Sequence, residues 1–86
     1  MNQSILFNEE AVWLAERAGW QLTVMTGQGL ITAVVSLSWL EARAGVALSQ
    51  TVQREQAWAD WRWLAEEAIE QALTDQQFHA SGEIRL

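Results

Sequence analysis

His79 is the only histidine in an 86-residue chain without cysteine, so metal or proton chemistry would have to be built from it and the carboxylates around it. Asp75 stands four residues earlier, a spacing that puts two ligands on one face if a helix persists that far. Catalytic zinc takes three protein ligands and structural zinc four, so a solvated helix end is the simpler reading and no metal site is expected. Without cysteine there is no thiolate ligand, thiol nucleophile or disulfide. Glu66, Glu67 and Glu70 form an acidic ridge that general acid/base catalysis would need to bury in order to perturb. Nothing in the sequence supplies that burial. The serines fall at helix starts and turns, far along the chain from His79, which leaves no nucleophile and base to pair. Gly27-Gln28-Gly29 lacks the glycine spacing and the following helix of a phosphate loop, and a hairpin turn accounts for both glycines. No catalytic residue and no cofactor are expected.

Two tryptophans of the six stand apart. At 100° per residue Trp63 falls among Ala59, Glu66, Glu67 and Glu70, on the polar side of the helix that carries it. A large apolar side chain within an acidic rim has the make-up of a binding surface, and the expected interaction surface is Trp63, Glu66, Glu67 and Glu70. Trp39 and Arg43 mark a second candidate, a pocket between the sheet and a short helix, where Arg43 would meet a carboxylate or phosphate. The plain alternatives are that Trp63 packs on the N-terminal segment or a neighbouring helix, that Trp39 folds onto the sheet, or that each is a singly exposed apolar residue.

The totals limit what else the chain can be. Half of the residues are hydrophobic and 19% are charged, which is outside the disordered range. A chain of this length forms one core, so a single domain over residues 1–86 is expected. The first ten residues have neither the basic start nor the apolar run of a signal peptide, and no segment approaches the ~20 apolar residues of a membrane-spanning helix. The expectation is a soluble cytoplasmic protein that does not engage a membrane. Eleven acidic residues face five arginines and no lysine, for a net charge of −6. With Arg17, Arg43, Arg54, Arg62 and Arg85 scattered singly, direct nucleic-acid binding is disfavoured, because it needs clustered cations on phosphates. A cationic protein partner or simple solubility suits the charge better.

The elements that would position these residues follow in order. Residues 4–7 read as a first strand. Residues 9–18 carry helical signals, with Asn8 as cap, glutamates in the first turn and Gly19 as terminator, although an irregular turn remains open. Residues 20–26 and 30–36 are β-rich runs around the glycine turn. A three-residue loop would put Thr32 among Trp20, Leu22 and Val24. A two-residue turn at Gly27-Gln28 or at Gln28-Gly29 aligns those three with Ile31, Ala33 and Val35, making one face wholly apolar. The other face is mixed, as a partly solvated antiparallel face often is. Ser38 and Glu41 have capping-box spacing before a short helix over 39–44, and Gly45 suits the left-handed position after it. Ser49 or Thr51 caps a long helix over 51–73. Its core half holds Ala57, Trp58, Trp61, Leu64, Ala65, Ala68, Ile69, Ala72 and Leu73. Ser81-Gly82 makes a turn, and residues 83–86 a last edge strand.

Several of these residues, in this order, resemble the YrdB-like proteins, a bacterial family of small proteins of unknown function. They are Met1-Asn2-Gln3-x-Ile5-x-Phe7, Trp13, the glycine turn at Gly27–Gly29, Ser36, Leu40, Leu64-Ala65-Glu66-Glu67-Ala68 and the closing Gly82-x-Ile84-x-Leu86. The family commonly has proline or aspartate after the first strand and Trp-Asp at the tryptophan, where this chain has Asn8-Glu9 and Trp13-Leu14. The resemblance implies an α+β fold in a bacterial cytoplasm and transfers no site residues.

The reading as a whole is α+β: a small antiparallel sheet of three or four strands with one long and one or two short helices packed on one face. The expected function is a non-catalytic protein-interaction or accessory module with a protein partner or a second copy of itself. A small-molecule binder or enzyme using the Trp39 and Arg43 pocket is the alternative.

Overall fold

A computed structural model describes residues 5–8 and 10–86; Met1 to Ser4 and Glu9, on which part of the first-strand and family readings rest, lie outside them. The elements run β1 (Leu6–Phe7), β2 (Val12–Leu14), β3 (Gly19–Thr26), β4 (Gly29–Ser36), α1 (Leu37–Ala44), α2 (Thr51–Thr74) and β5 (Ile84–Arg85). The class is α+β, as expected. The sheet, however, has five strands and is mixed. β1 and β2 both pair with β3 along one edge, β4 follows on the other side, and β5 lies beyond β4. β5 runs parallel to β4, because α1 and α2 carry the chain across the sheet between them and return it in the same direction.

The hairpin has the two-residue turn at Gly27-Gln28. Thr26 is opposite Gly29, Trp20 opposite Val35, Leu22 opposite Ala33 and Val24 opposite Ile31. The Thr26 hydroxyl donates to Gly29 O at 2.9 Å and accepts from Gln28 N at 3.1 Å. Gly29 takes the positive φ, 121°.

Residues 10–18 do not form an α-helix. Val12–Leu14 is a strand, a 3-10 turn covers Ala15–Arg17, and Ala18 adopts the left-handed conformation at φ 46° that was expected of Gly19. A tertiary contact outweighs the local signals: Trp13 pairs with Trp20 across the strands and meets it edge-on at 5.4 Å, while Trp58 of α2 stacks on Trp20 at 5.4 Å. Arg54 covers the outer face of Trp13 at 4.8 Å. A helix here would discard that cluster, in which each aromatic pair adds about 0.5–1.5 kcal/mol beyond burial. Asn8, instead of capping, donates its N–H to Thr23 O at 3.1 Å. Gly19 is required for closeness, since a Cβ there would sit 2.8 Å from Val35 O.

Two caps also differ. Ser36 caps α1, accepting from Trp39 N at 3.2 Å, so Ser38 is inside the helix, and the Glu41 carboxylate instead accepts from Leu48 N at 2.9 Å to fasten the connector. Gly45 ends α1 at φ 77°, as expected. Gln50, neither Ser49 nor Thr51, precedes α2, and its N–H is met by the Gln53 side chain at 3.1 Å.

Both helices cover one face of the sheet. Trp20, Leu22, Val24, Ala33, Val35 and Ile84 meet Leu40, Ala57, Trp58, Ala65, Ile69 and Ala72 in one core, each large side chain contributing about 1.5–3 kcal/mol through removal from water. Trp61, Leu64, Ala68 and Leu73, also expected on the core side, are only partly buried. On the other face of the sheet the row Leu6, Met25, Leu30 across three strands is 61%, 50% and 67% exposed, whereas Val34 on the same face is buried. At the C-terminal end, Glu83 accepts from Arg17 at 3.1 Å and from Arg85 at 2.7 Å. The Arg17 bonds first, then that from Arg85, hold the Glu83 carboxyl down from 4.5 to about 2.

Candidate functional site

α2 is long enough to present further stripes beside its buried one. Trp63, Glu67, Glu70 and Thr74 recur at i, i+4, i+7 and i+11, so they share a face over three turns. Trp63 is 57% exposed; the tryptophan that the wheel placed on the polar side does stand in water. Glu67 and Glu70 are exposed beside it.

Glu66 is directed elsewhere. Its carboxylate accepts from Arg62 Nε at 2.8 Å, one turn back, and Arg62 also donates to Asn8 O and lies 5.7 Å from the Trp58 ring. That group closes α2 onto the N-terminal segment. Of the four residues expected to form one surface, Trp63, Glu67 and Glu70 are together and Glu66 belongs to the adjacent, internally paired stripe.

Between α1 and the C-terminal half of α2 the surface opens into a groove of about 510 Å3. Trp39 and Arg43 from α1 line one wall, and Leu64, Glu67, Ala68, Glu70, Gln71 and Thr74 of α2 the other. The Trp39 and Arg43 pocket therefore lies between two helices, not between the sheet and the short helix. The reason is that Leu40, the α1 residue facing the sheet, is fully buried and closes that gap. Arg43 folds back on its own helix: its Cζ sits 3.8 Å above the Trp39 ring and Nη1 donates to Trp39 O at 3.3 Å. Among the described residues it forms no ion pair with Glu67 or Glu70.

The two candidate surfaces thus adjoin through Glu67 and Glu70. Glu67 and Glu70 belong both to the Trp63 stripe and to the wall facing Trp39 and Arg43. Leu64, Ala68, Gln71 and Thr74 were not foreseen as lining residues. The i+11 position of Thr74 relative to Trp63 was a usable signal, whereas Leu64 and Ala68 sat at the margin of the apolar stripe, and only the position of α1 decides that they remain partly open.

α2 ends at Thr74, so Asp75 and His79 do not share a helix face. Asp75 accepts from Gln71 at 3.0 Å, and His79 Nδ1 lies 3.1 Å from the Ser81 hydroxyl in the following turn. Among the described residues no three metal-ligating side chains converge, and no helix is long and apolar enough to cross a membrane.

A family model described as "Protein of unknown function (DUF1488)" matches residues 5–86. A solved structure of a protein of unknown function from the DUF1488 family of Shewanella loihica PV-4 is similar over 100% of this chain and 94% of its own, with a TM-score of 0.89 at 24% identity; at that identity the likeness concerns the fold. No curated protein matches the chain.

Proposed function

The chain belongs to the DUF1488 family, whose description assigns no activity, and from that premise we propose that it is a single-domain, non-catalytic interaction module of a bacterial cytoplasm, akin to the YrdB-like proteins. Its contact surface is the exposed Trp63 with Glu67 and Glu70, continued into the groove against Trp39 and Arg43. Glu66 borders this surface from the paired stripe. The occupant is a protein segment, from a partner or from a second copy. The observation that carries this reading is an exposed indole, 57% accessible, beside a groove whose carboxylates have no ion-pair partner among the described residues. Buried aromatic anchors within polar rims dominate the energetics of protein interfaces. Membranes and nucleic acid are the wrong partners for a chain with a net charge of −6 and no cluster of cations.

The test is Trp63→Ala in the full chain. It should unfold like the parent and lose the partner, or the self-association, that the parent shows in co-purification from its host and in sedimentation. An unchanged partner set together with an unchanged oligomeric state would remove this surface from consideration.

The second reading is a small-molecule site. The groove, at about 510 Å3, is within the ~300–1,000 Å3 of ligand pockets. An anionic ligand would meet Glu67 and Glu70 as well as Arg43, which opposes the carboxylate or phosphate first considered for Arg43. A metabolite panel that leaves thermal unfolding unshifted counts against this reading.

A further inference from the structure

We infer that the groove between α1 and α2 takes a basic peptide segment, with a lysine or arginine set against Glu67 and Glu70 and an apolar side chain laid on Leu64 and Ala68 beside Trp63. The inference rests on the interaction reading above and names the chemistry of the occupant.

It follows from how the chain uses its own cations. There are five arginines and no lysine, and four of the arginines are engaged away from the groove. Arg17 and Arg85 are on Glu83. Arg62 is on Glu66 and Asn8 O, and Arg54 is on Ser49 O, the Thr51 hydroxyl and the Trp13 ring. Arg43 is the cation nearest the groove, and it is folded over Trp39. The groove thus holds two carboxylates against one guanidinium, and no side chain of the described residues is placed to neutralise the excess. A basic occupant supplies the complementary charge. A second copy of this chain would bring the same engaged arginines and a further net charge of −6, so self-docking here is electrostatically unfavourable.

The shape adds to the charge. The lining along α2 runs from Leu64 to Thr74, roughly 15 Å at 1.5 Å per residue, the span of about four or five extended residues. Trp63, at one end of that wall, gives an apolar side chain a flat surface. A cation entering over Trp39 takes the position that Arg43 occupies over the ring, so Arg43 competes with the occupant and does not assist it.

The experiment selects a random peptide library displayed on phage against the immobilised full chain, then titrates the enriched peptides into it by fluorescence and calorimetry. The expected result is enrichment of sequences that combine lysine or arginine with an aliphatic or aromatic residue. Glu67→Gln/Glu70→Gln should weaken binding about ten-fold at low salt, as two ion pairs of ordinary strength would. Glu10→Gln/Glu55→Gln, with the same change in net charge away from the groove, should leave it unchanged, and Arg43→Gln should strengthen it. All three variants change exposed residues and are checked for parental unfolding. Enrichment of neutral or acidic peptides, no enrichment at all, or equal weakening by the two glutamate double variants would overturn the basic-segment assignment. So would a dimer in sedimentation that Glu67→Gln/Glu70→Gln abolishes. If Trp63→Ala still removes a co-purifying partner while the peptide results fail, the contact surface stands and only its charge class is wrong.

Discussion

α2 carries two stripes of similar composition with opposite fates. Trp58, Arg62 and Glu66 recur at i, i+4 and i+8; Trp63, Glu67 and Glu70 recur at i, i+4 and i+7. In the first stripe the tryptophan is 8% exposed and stacked on Trp20, and the arginine joins the glutamate to the backbone of Asn8. In the second the tryptophan is 57% exposed, and no arginine separates it from the glutamates. Trp58 lies on the core half of α2 and Trp63 near the opposite side, and only the first has an arginine one turn on that ties its glutamate to the N-terminal segment.

That contrast can be tested by breaking the closed stripe and the open one in turn. Trp58→Ala should have the largest effect, about 3–5 kcal/mol of lost stability in denaturant unfolding, because it empties one layer of a packed aromatic stack. A loss below about 1 kcal/mol would mean that the stack is not the anchor described here. Arg62→Gln should cost about 0.5–1 kcal/mol, since its ion pair is partly exposed and its bond to Asn8 O holds the N-terminal segment; hydrogen exchange at residues 6–7 should rise with it. Glu83 is a second carboxylate enclosed by arginines. Its carboxyl titrates near 2 in the folded chain and near 4.5 when free of its partners, so its contribution is complete above about 4.5 and is lost as the pH falls towards 2. Glu83→Gln should therefore flatten the stability profile in that window and alter its shape little at neutral pH. The smallest stability change belongs to the open stripe: Trp63→Ala should remain within about 0.5 kcal/mol of the parent, as surface substitutions do, while binding is lost. If Trp63→Ala destabilises as Trp58→Ala does, the two stripes are not different in kind.

Much of the open stripe was legible because the helical period is a local property. The wheel places Trp63 opposite Ala65 and Ile69, while the tertiary structure decides that it stands exposed; the hairpin register follows from parity alone. Residues 9–18 were illegible for the opposite reason. Their glutamates and Asn8 favour a helix locally, but Trp13 gains more from Trp20, a partner that is set by the strand pairing and by the arrival of Trp58 from α2. Ser38 has the capping spacing to Glu41, but β4 ends at Ser36 and α1 begins at Leu37, so Ser36 takes the capping position. The association of Trp39 and Arg43 with Glu67 and Glu70 was likewise hidden, because it depends on how α1 lies along α2.

Sequence alone determined the α+β class, the long amphipathic helix, the two-residue turn, the net charge and the place of Trp63 on the polar side of its helix. Each of these is written in periodicity, side-chain volume or charge, and none needs knowledge of a distant partner. Tertiary structure decided the rest: β2 in place of a helix, the parallel fifth strand, the separation of Glu66 from Glu67 and Glu70, and the groove itself. These depend on contacts between residues far apart in the chain, where the free energy of burying an indole or pairing a carboxylate exceeds the small local preferences that a sequence displays.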